Sequence, residues 1–120
     1  MKRKPGRLLG IETALLEAGI TLHGLGALDF HGYALAKEMQ ELGSARRLTA
    51  HGTLYKALDR LQVMGLLESK WEDAQIGADE GRPRRRLYRV TAAGSTALER
   101  ERTYVRAEAP AVLKTEAAQG

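Results

Sequence analysis

Residues 51–67, HGTLYKALDRLQVMGLL, carry two patterns at once. Leu54, Leu58 and Leu61 recur at i, i+4 and i+7, the spacing of a helix face turned toward a core. Gly52, Thr53, Lys56 and Arg60 fall opposite or well away from that face. A glycine lets backbone approach a phosphate closely, and a helix start offers free N–H groups and the positive end of its dipole. Thr53 can bond a base edge or a phosphate. Lys56 and Arg60 reach further, and arginine is the side chain best matched to guanine O6 and N7. His51 and Tyr55 belong to the same leading end. The chemistry suits a polyanion with readable edges. The plainer alternative is a solvated helix face with ordinary surface cations.

Other cations gather near this stretch in sequence. Arg82, Arg84, Arg85 and Arg86 form the densest basic run, faced across a loop by Glu72, Asp73, Asp79 and Glu80. These arginines can neutralise phosphates or enter a minor groove, while the acidic residues can hold the loop when no polyanion is bound. Arg46 and Arg47 lie in the polar turn SARRLT, and Thr49 is placed to N-cap the helix that follows. His31 and Tyr33 open an earlier segment where phosphate contact is available. The three histidines, at 23, 31 and 51, share no i, i+4 spacing and have no cysteine to join them, so no metal site is expected. No cofactor is expected either. Ser44, Ser69 and Ser95 have no visible catalytic partners, which argues against an enzyme.

These residues need elements to position them. A first helix is expected over Leu8 to Leu22, with Leu8, Ile11, Leu15 and Leu22 in one stripe and Leu9, Leu16 and Ile20 beside it. That is more apolar surface than one packing contact uses. A short second helix fits HGYALAKEMQELG, followed by the polar turn and the helix over 50–64. Beyond Gly65 the period changes to two. Leu67, Ser69 and Trp71 alternate with polar neighbours, and RLYRV (86–90) is the partner strand. Between them lies a long hairpin loop. Thr91 caps a last helix in which Leu98, Tyr104 and Val105 supply apolar contacts. The expected fold is α+β and mostly helical: a winged helix-turn-helix, with a three-helix core, a two-stranded β wing over 72–86 and a C-terminal helix. The expected divisions are a basic arm over 1–7, the winged-helix domain over 8–91, and the last helix with a short tail over 92–120.

Composition agrees. The 120 residues carry 28% charged side chains, a net charge of +4 and a pI near 9.6, a balance that favours polyanionic partners. There are no cysteines, so disulfides and thiolate sites are excluded. No apolar run approaches the ~18 residues of a membrane span, and the basic residues cluster in turns and wing rather than along an amphipathic helix. A soluble, cytoplasmic protein is expected, with no membrane partner.

FHGYALAKEMQEL, HGTLYKALDRLQVMGLLESKW and RRRLYRVTAAGSTAL resemble, in that order, three signature blocks of PadR-type transcriptional regulators. The resemblance spans roughly residues 8–105. It implies a winged-helix repressor that binds a palindromic operator as a homodimer, with half-sites about one helical turn (~34 Å) or a multiple apart. It also implies dimerisation through the first and last helices, for which Leu8, Leu9, Ile11, Leu15, Leu16, Leu98, Tyr104 and Val105 are the candidates. Some such proteins respond to small molecules, and Trp71 is the residue that could line an effector pocket, although packing is the commoner reason for a lone tryptophan. Lys56 departs from the family pattern, which often has proline there, and adds a cation to the outer face. Fold does not fix function, so a winged helix used for protein contact, or for binding nucleic acid without sequence preference, is the competing reading.

Overall fold

A computed structural model of the chain describes residues 6–42 and 51–108, without the side chains of His51 and Gly52. The elements in order are α1 (Gly10–Gly24), β1 (Phe30–His31), α2 (Gly32–Glu41), α3 (His51–Val63), β2 (Leu67–Trp71), α4 (Ala74–Asp79), β3 (Arg86–Val90) and α5 (Ala92–Ala107). The expected α+β winged-helix architecture is present, with two additions. A third strand, β1, joins the hairpin, and a one-turn helix, α4, sits inside the wing loop.

Helix α1 is the centre of the core. Ala14, Leu15, Leu16 and Ala18 are fully or almost fully buried, and Leu8, Ile11, Ile20 and Leu22 pack partly against the same cluster. The covering surfaces come from α2, α3, α5 and β3 of the same chain. This corrects the expectation for the innermost α1 candidates, Leu15 and Leu16, while Leu8, Leu9 and Ile11 stay partly exposed. Leu15, Leu16 and Leu98 are at most 1% exposed and belong to the chain's own core. Burying each such leucine contributes about 1.5–3 kcal/mol.

The segment after α1 is held by His23. Its Nε2 accepts from the backbone N–H of Val90 (3.1 Å) and its Nδ1 faces the carbonyl of Ala27 (2.7 Å). The first bond needs a lone pair on Nε2, which assigns the ring proton to Nδ1 as the donor to Ala27. The ring also lies 5.1 Å from that of Phe30. His23 thus fastens the loop before β1 to β3. That loop leaves Leu25 and Leu28 about three-quarters exposed.

The sheet has the order β1-β3-β2 and is antiparallel throughout. Val90 pairs with Leu67, Tyr88 with Ser69 and Arg86 with Trp71. The period of two therefore sends Leu67, Tyr88 and Val90 into the core, and the same face continues outward as Ser69, Trp71 and Arg86. The opposite face carries Glu68, Lys70, Leu87 and Arg89. There Asp29 bridges Lys70 (3.2 Å) and Arg89 (2.9 Å).

Helix α5 is set by Thr91, whose hydroxyl accepts from Gly94 N–H (3.0 Å) and donates to Gly65 O (2.7 Å). Gly94 has a steric reason. A Cβ there would meet the Leu66 carbonyl oxygen at 2.2 Å and Val90 Cγ1 at 2.8 Å, so only glycine lets α5 sit this low. Arg102 pairs with Glu99 (3.0 Å) on the solvated side, as the i, i+3 spacing predicts. Glu101 does not share that side. It is buried, accepts from Leu8 N–H (3.0 Å) and pairs with Arg7 (2.8 Å), which also reaches Glu108 (2.9 Å) and lies over the Tyr104 ring. Arg7 is thus fastened to α5. The hydrogen bonds from Arg7 hold the Glu101 carboxyl below its ordinary range. Among the described residues no helix is long and apolar enough to cross a membrane.

Candidate nucleic-acid interface

Helix α3 buries Leu54, Ala57, Leu58 and Leu61. With 100° between residues, the side facing away carries Lys56, Asp59 and Val63, with Tyr55 and Gln62 on one flank and Thr53 and Arg60 on the other. Thr53, Lys56 and Asp59 are exposed, Val63 is 87% exposed and Tyr55 is partly covered. This ridge faces solvent along its length.

The flank next to the hairpin joins α3 to the wing. Ser69 Oγ donates to Gln62 Oε1, and Arg86 Nε donates to Ser69 Oγ (3.0 Å). Tyr55 lies against the start of α2. A Cβ on Gly32 would meet the Tyr55 hydroxyl oxygen at 2.8 Å, so glycine in the HGY block is what lets this ring come close. A cleft opens here between α2, α3 and the hairpin, lined by His31, Tyr33, Tyr55, Arg84, Arg85 and Arg86. His31 is the N-cap of α2, with Nδ1 accepting from Ala34 N–H (3.3 Å). Burial, with Arg85 and Arg82 close by, pushes its imidazole below the ordinary histidine range, which leaves a neutral ring with Nε2 as its donor. Tyr33 is 72% exposed and stacks on His31 at 6.2 Å.

The wing is braced by an internal ion pair. Asp73 caps α4 by accepting from Gln75 N–H (2.8 Å), and Asp79 accepts from the Gln75 side chain (2.7 Å). Arg82 is bound to Glu72, also pairs with Glu80 (3.1 Å) and donates to Pro83 O (3.1 Å). Glu72 further accepts from Arg85 N–H (2.8 Å). The Arg82 hydrogen bonds hold the Glu72 carboxyl below its ordinary range. The expected neutralisation of the basic run thus falls mainly on Arg82. Arg84, Arg85 and Arg86 remain exposed, and the charge of Arg85 is felt by Glu72 while Arg84 and Arg86 have no carboxylate partner among the described residues.

Three of the candidates have partners within the fold. Arg82 is a brace inside the wing. Arg60 leaves the solvent ridge: its Nε donates to Glu12 Oε2 (3.0 Å), a carboxylate that is fully buried and whose other oxygen accepts from Leu9 N–H (2.8 Å). That pair ties Arg60 to the α1–α3 junction, with its side chain still partly exposed. Trp71, the candidate for an effector pocket, lies on the wing. It is 50% exposed, with the Arg84 and Arg86 guanidinium carbons 5.0 and 5.1 Å from its ring. Of the remaining candidates, Arg46, Arg47 and Thr49 lie outside the described residues, as do the side chains of His51 and Gly52, whose backbone opens α3.

The PadR-like family of transcriptional regulators matches residues 21–100. The chain belongs to that family. As a PadR-like protein it is a DNA-binding transcriptional regulator and not an enzyme. Solved structures share the fold. A transcriptional regulator from Clostridium thermocellum is 21% identical, with 86% of this chain and 89% of that one covered and a TM-score of 0.64. A PadR family transcription regulator from Clostridium difficile is 24% identical, with 91% and 95% covered and a TM-score of 0.61. A PadR-like regulator from Bacillus cereus is 20% identical, with 92% of each chain covered and a TM-score of 0.59. No curated protein matches.

Proposed function

We propose that this PadR-like regulator is a repressor working in the cytoplasm at the nucleoid. It binds a roughly palindromic double-stranded operator as a homodimer, with α3 in the major groove and the 72–86 wing on the minor groove or backbone. The observation that carries this is the joining of a solvent-facing helix ridge to a cationic wing. The outer ridge of α3, with Thr53 and Lys56, and the wing arginines are tied together through Gln62, Ser69 and Arg86. Phosphate contacts from Arg84, Arg85, Arg86 and the cleft beside His31 and Tyr33 supply most of the affinity, and Thr53 and Lys56 read bases. Dimerisation draws on what α1 and α5 leave uncovered. Tyr104 and Val105 are partly exposed, and Val105 borders a groove with Leu8 and Ala14. Release by a small-molecule effector completes the reading.

The test is selection of bound sequences from a random DNA pool at near-physiological salt. The expected result is a motif with two-fold symmetry. Recovery without a motif, abolished by salt, would mean a non-specific binder. No retention would sink the DNA reading and favour a winged helix used for protein contact.

A further inference from the structure

Trp71 stands where packing gives little reason for it. It ends β2 beyond the core and is half exposed, so its large apolar surface is only partly removed from water. What it does meet is charge: Arg86, its partner across the ladder, and Arg84 from the preceding turn both lie over its ring within about 5 Å. An indole face attracts guanidinium groups through its quadrupole, and tryptophan does so better than the other aromatic rings. The three consecutive arginines at 84–86 repel one another, and among the described residues no carboxylate pairs with Arg84 or Arg86. Arg86 is further fixed by Ser69, which is itself fixed to Gln62 of α3.

We infer that Trp71 is a positioning residue for DNA binding, which stacks Arg84 and Arg86 in the orientation they need on the DNA backbone before DNA arrives. This rests on the DNA-binding reading above. Long arginine side chains lose rotamer freedom when they settle on a phosphate. A stack that has already ordered them lowers that cost without adding a contact to DNA. Trp71 therefore raises affinity while leaving the number of neutralised phosphates unchanged.

The experiment measures affinity for a labelled duplex over a series of KCl concentrations for the wild type, Trp71→Leu, Trp71→Phe, R84A/R86A and the triple variant W71L/R84A/R86A. Thermal melts accompany each. Trp71→Leu keeps apolar bulk and removes the aromatic face, and because the site is half exposed the melting temperature is expected to hold. The expected loss for Trp71→Leu is about fivefold in affinity, the scale of exposed cation–π contacts, with the salt slope of the wild type. Trp71→Phe is expected to keep most of the affinity. W71L/R84A/R86A is expected to bind no more weakly than R84A/R86A. Wild-type affinity in Trp71→Leu, or a loss that adds in full to R84A/R86A, overturns the inference and leaves the DNA reading standing. Absence of duplex binding by the wild type at low salt overturns both.

Discussion

Two groups of arginines share one chemistry and differ in what they face. Arg7, Arg60, Arg82 and Arg89 are each held by a carboxylate: Glu101, Glu12, Glu72 and Asp29 respectively. Arg84 and Arg86 face an aromatic ring, and Arg85 faces a cleft. An arginine already paired exchanges one anion for another when a phosphate arrives, and little is gained. An unpaired one gains the attraction and releases a counterion from the DNA. The partners of the cations, rather than their number, decide where a polyanion is bound.

The largest expected effect comes from breaking that contrast. R84A/R86A is expected to lower the slope of log K against log[salt] by about 1.8, at about 0.9 for each phosphate no longer neutralised, which corresponds to roughly thirtyfold weaker binding near 0.15 M salt. Arg89→Ala, on the opposite face of the sheet, is expected to leave the slope alone. Fluorescence anisotropy titrations at several salt concentrations measure both. An equal fall for Arg89→Ala would mean that pairing does not separate the two groups.

The comparison sharpens within α3, where Lys56 and Arg60 are one turn apart. Arg60→Ala is expected to cost about 1–3 kcal/mol of folding stability, because a buried carboxylate loses a charged hydrogen-bond donor, with base preference retained. Lys56→Ala is expected to do the reverse, leaving stability unchanged and removing about 1–2 kcal/mol of discrimination at one position. Urea unfolding and competition between selected and scrambled duplexes separate the two. Loss of discrimination in Arg60→Ala with no loss of stability would return that residue to the reading face.

Arg60 also marks the limit of what the chain reveals unfolded. A helical wheel places it away from Leu54, Leu58 and Leu61, which is correct, but its partner Glu12 lies 48 residues earlier, and no local period connects them. The hairpin was legible to the residue in β3, because alternation of two is a local property and Tyr88 and Val90 express it. β1 was not, since two residues cannot alternate. α4 escaped for a similar reason: AQIGAD has a cap in Asp73 and too few residues for a stripe. The apolar face of α1 was visible, but sequence cannot say whether Leu15 and Leu16 meet their own chain or another copy. Among the wing cations, the presence of acidic neighbours was legible. That they would take Arg82 and leave Arg84–Arg86 depended on the path of the turn around α4.

The smallest expected effect concerns the paired group alone. Glu72, Glu101 and Asp29 all titrate below their ordinary ranges when folded; hydrogen bonds from Arg82 to Glu72 and from Arg7 to Glu101 are the largest influence on the glutamates, while at Asp29 burial pushes upward and the hydrogen bonds and charges of Lys70 and Arg89 together overcome it. A carboxyl depressed in the folded state stabilises it above the unfolded pKa, here about 4.5 for the glutamates, and that stabilisation is lost as pH falls through the folded value. The melting temperature is therefore expected to be insensitive to these groups from neutral pH down to about 5 and to decline below that. Glu101→Gln, which removes the ionisable group at the α1–α5 junction, should flatten the decline. Glu72→Gln should flatten it less, because it loosens only the wing, and should weaken DNA binding about twofold with the salt slope unchanged, since Arg82 is a brace and not a phosphate contact. A lower salt slope in Glu72→Gln would show that the brace and the binding surface are one and the same.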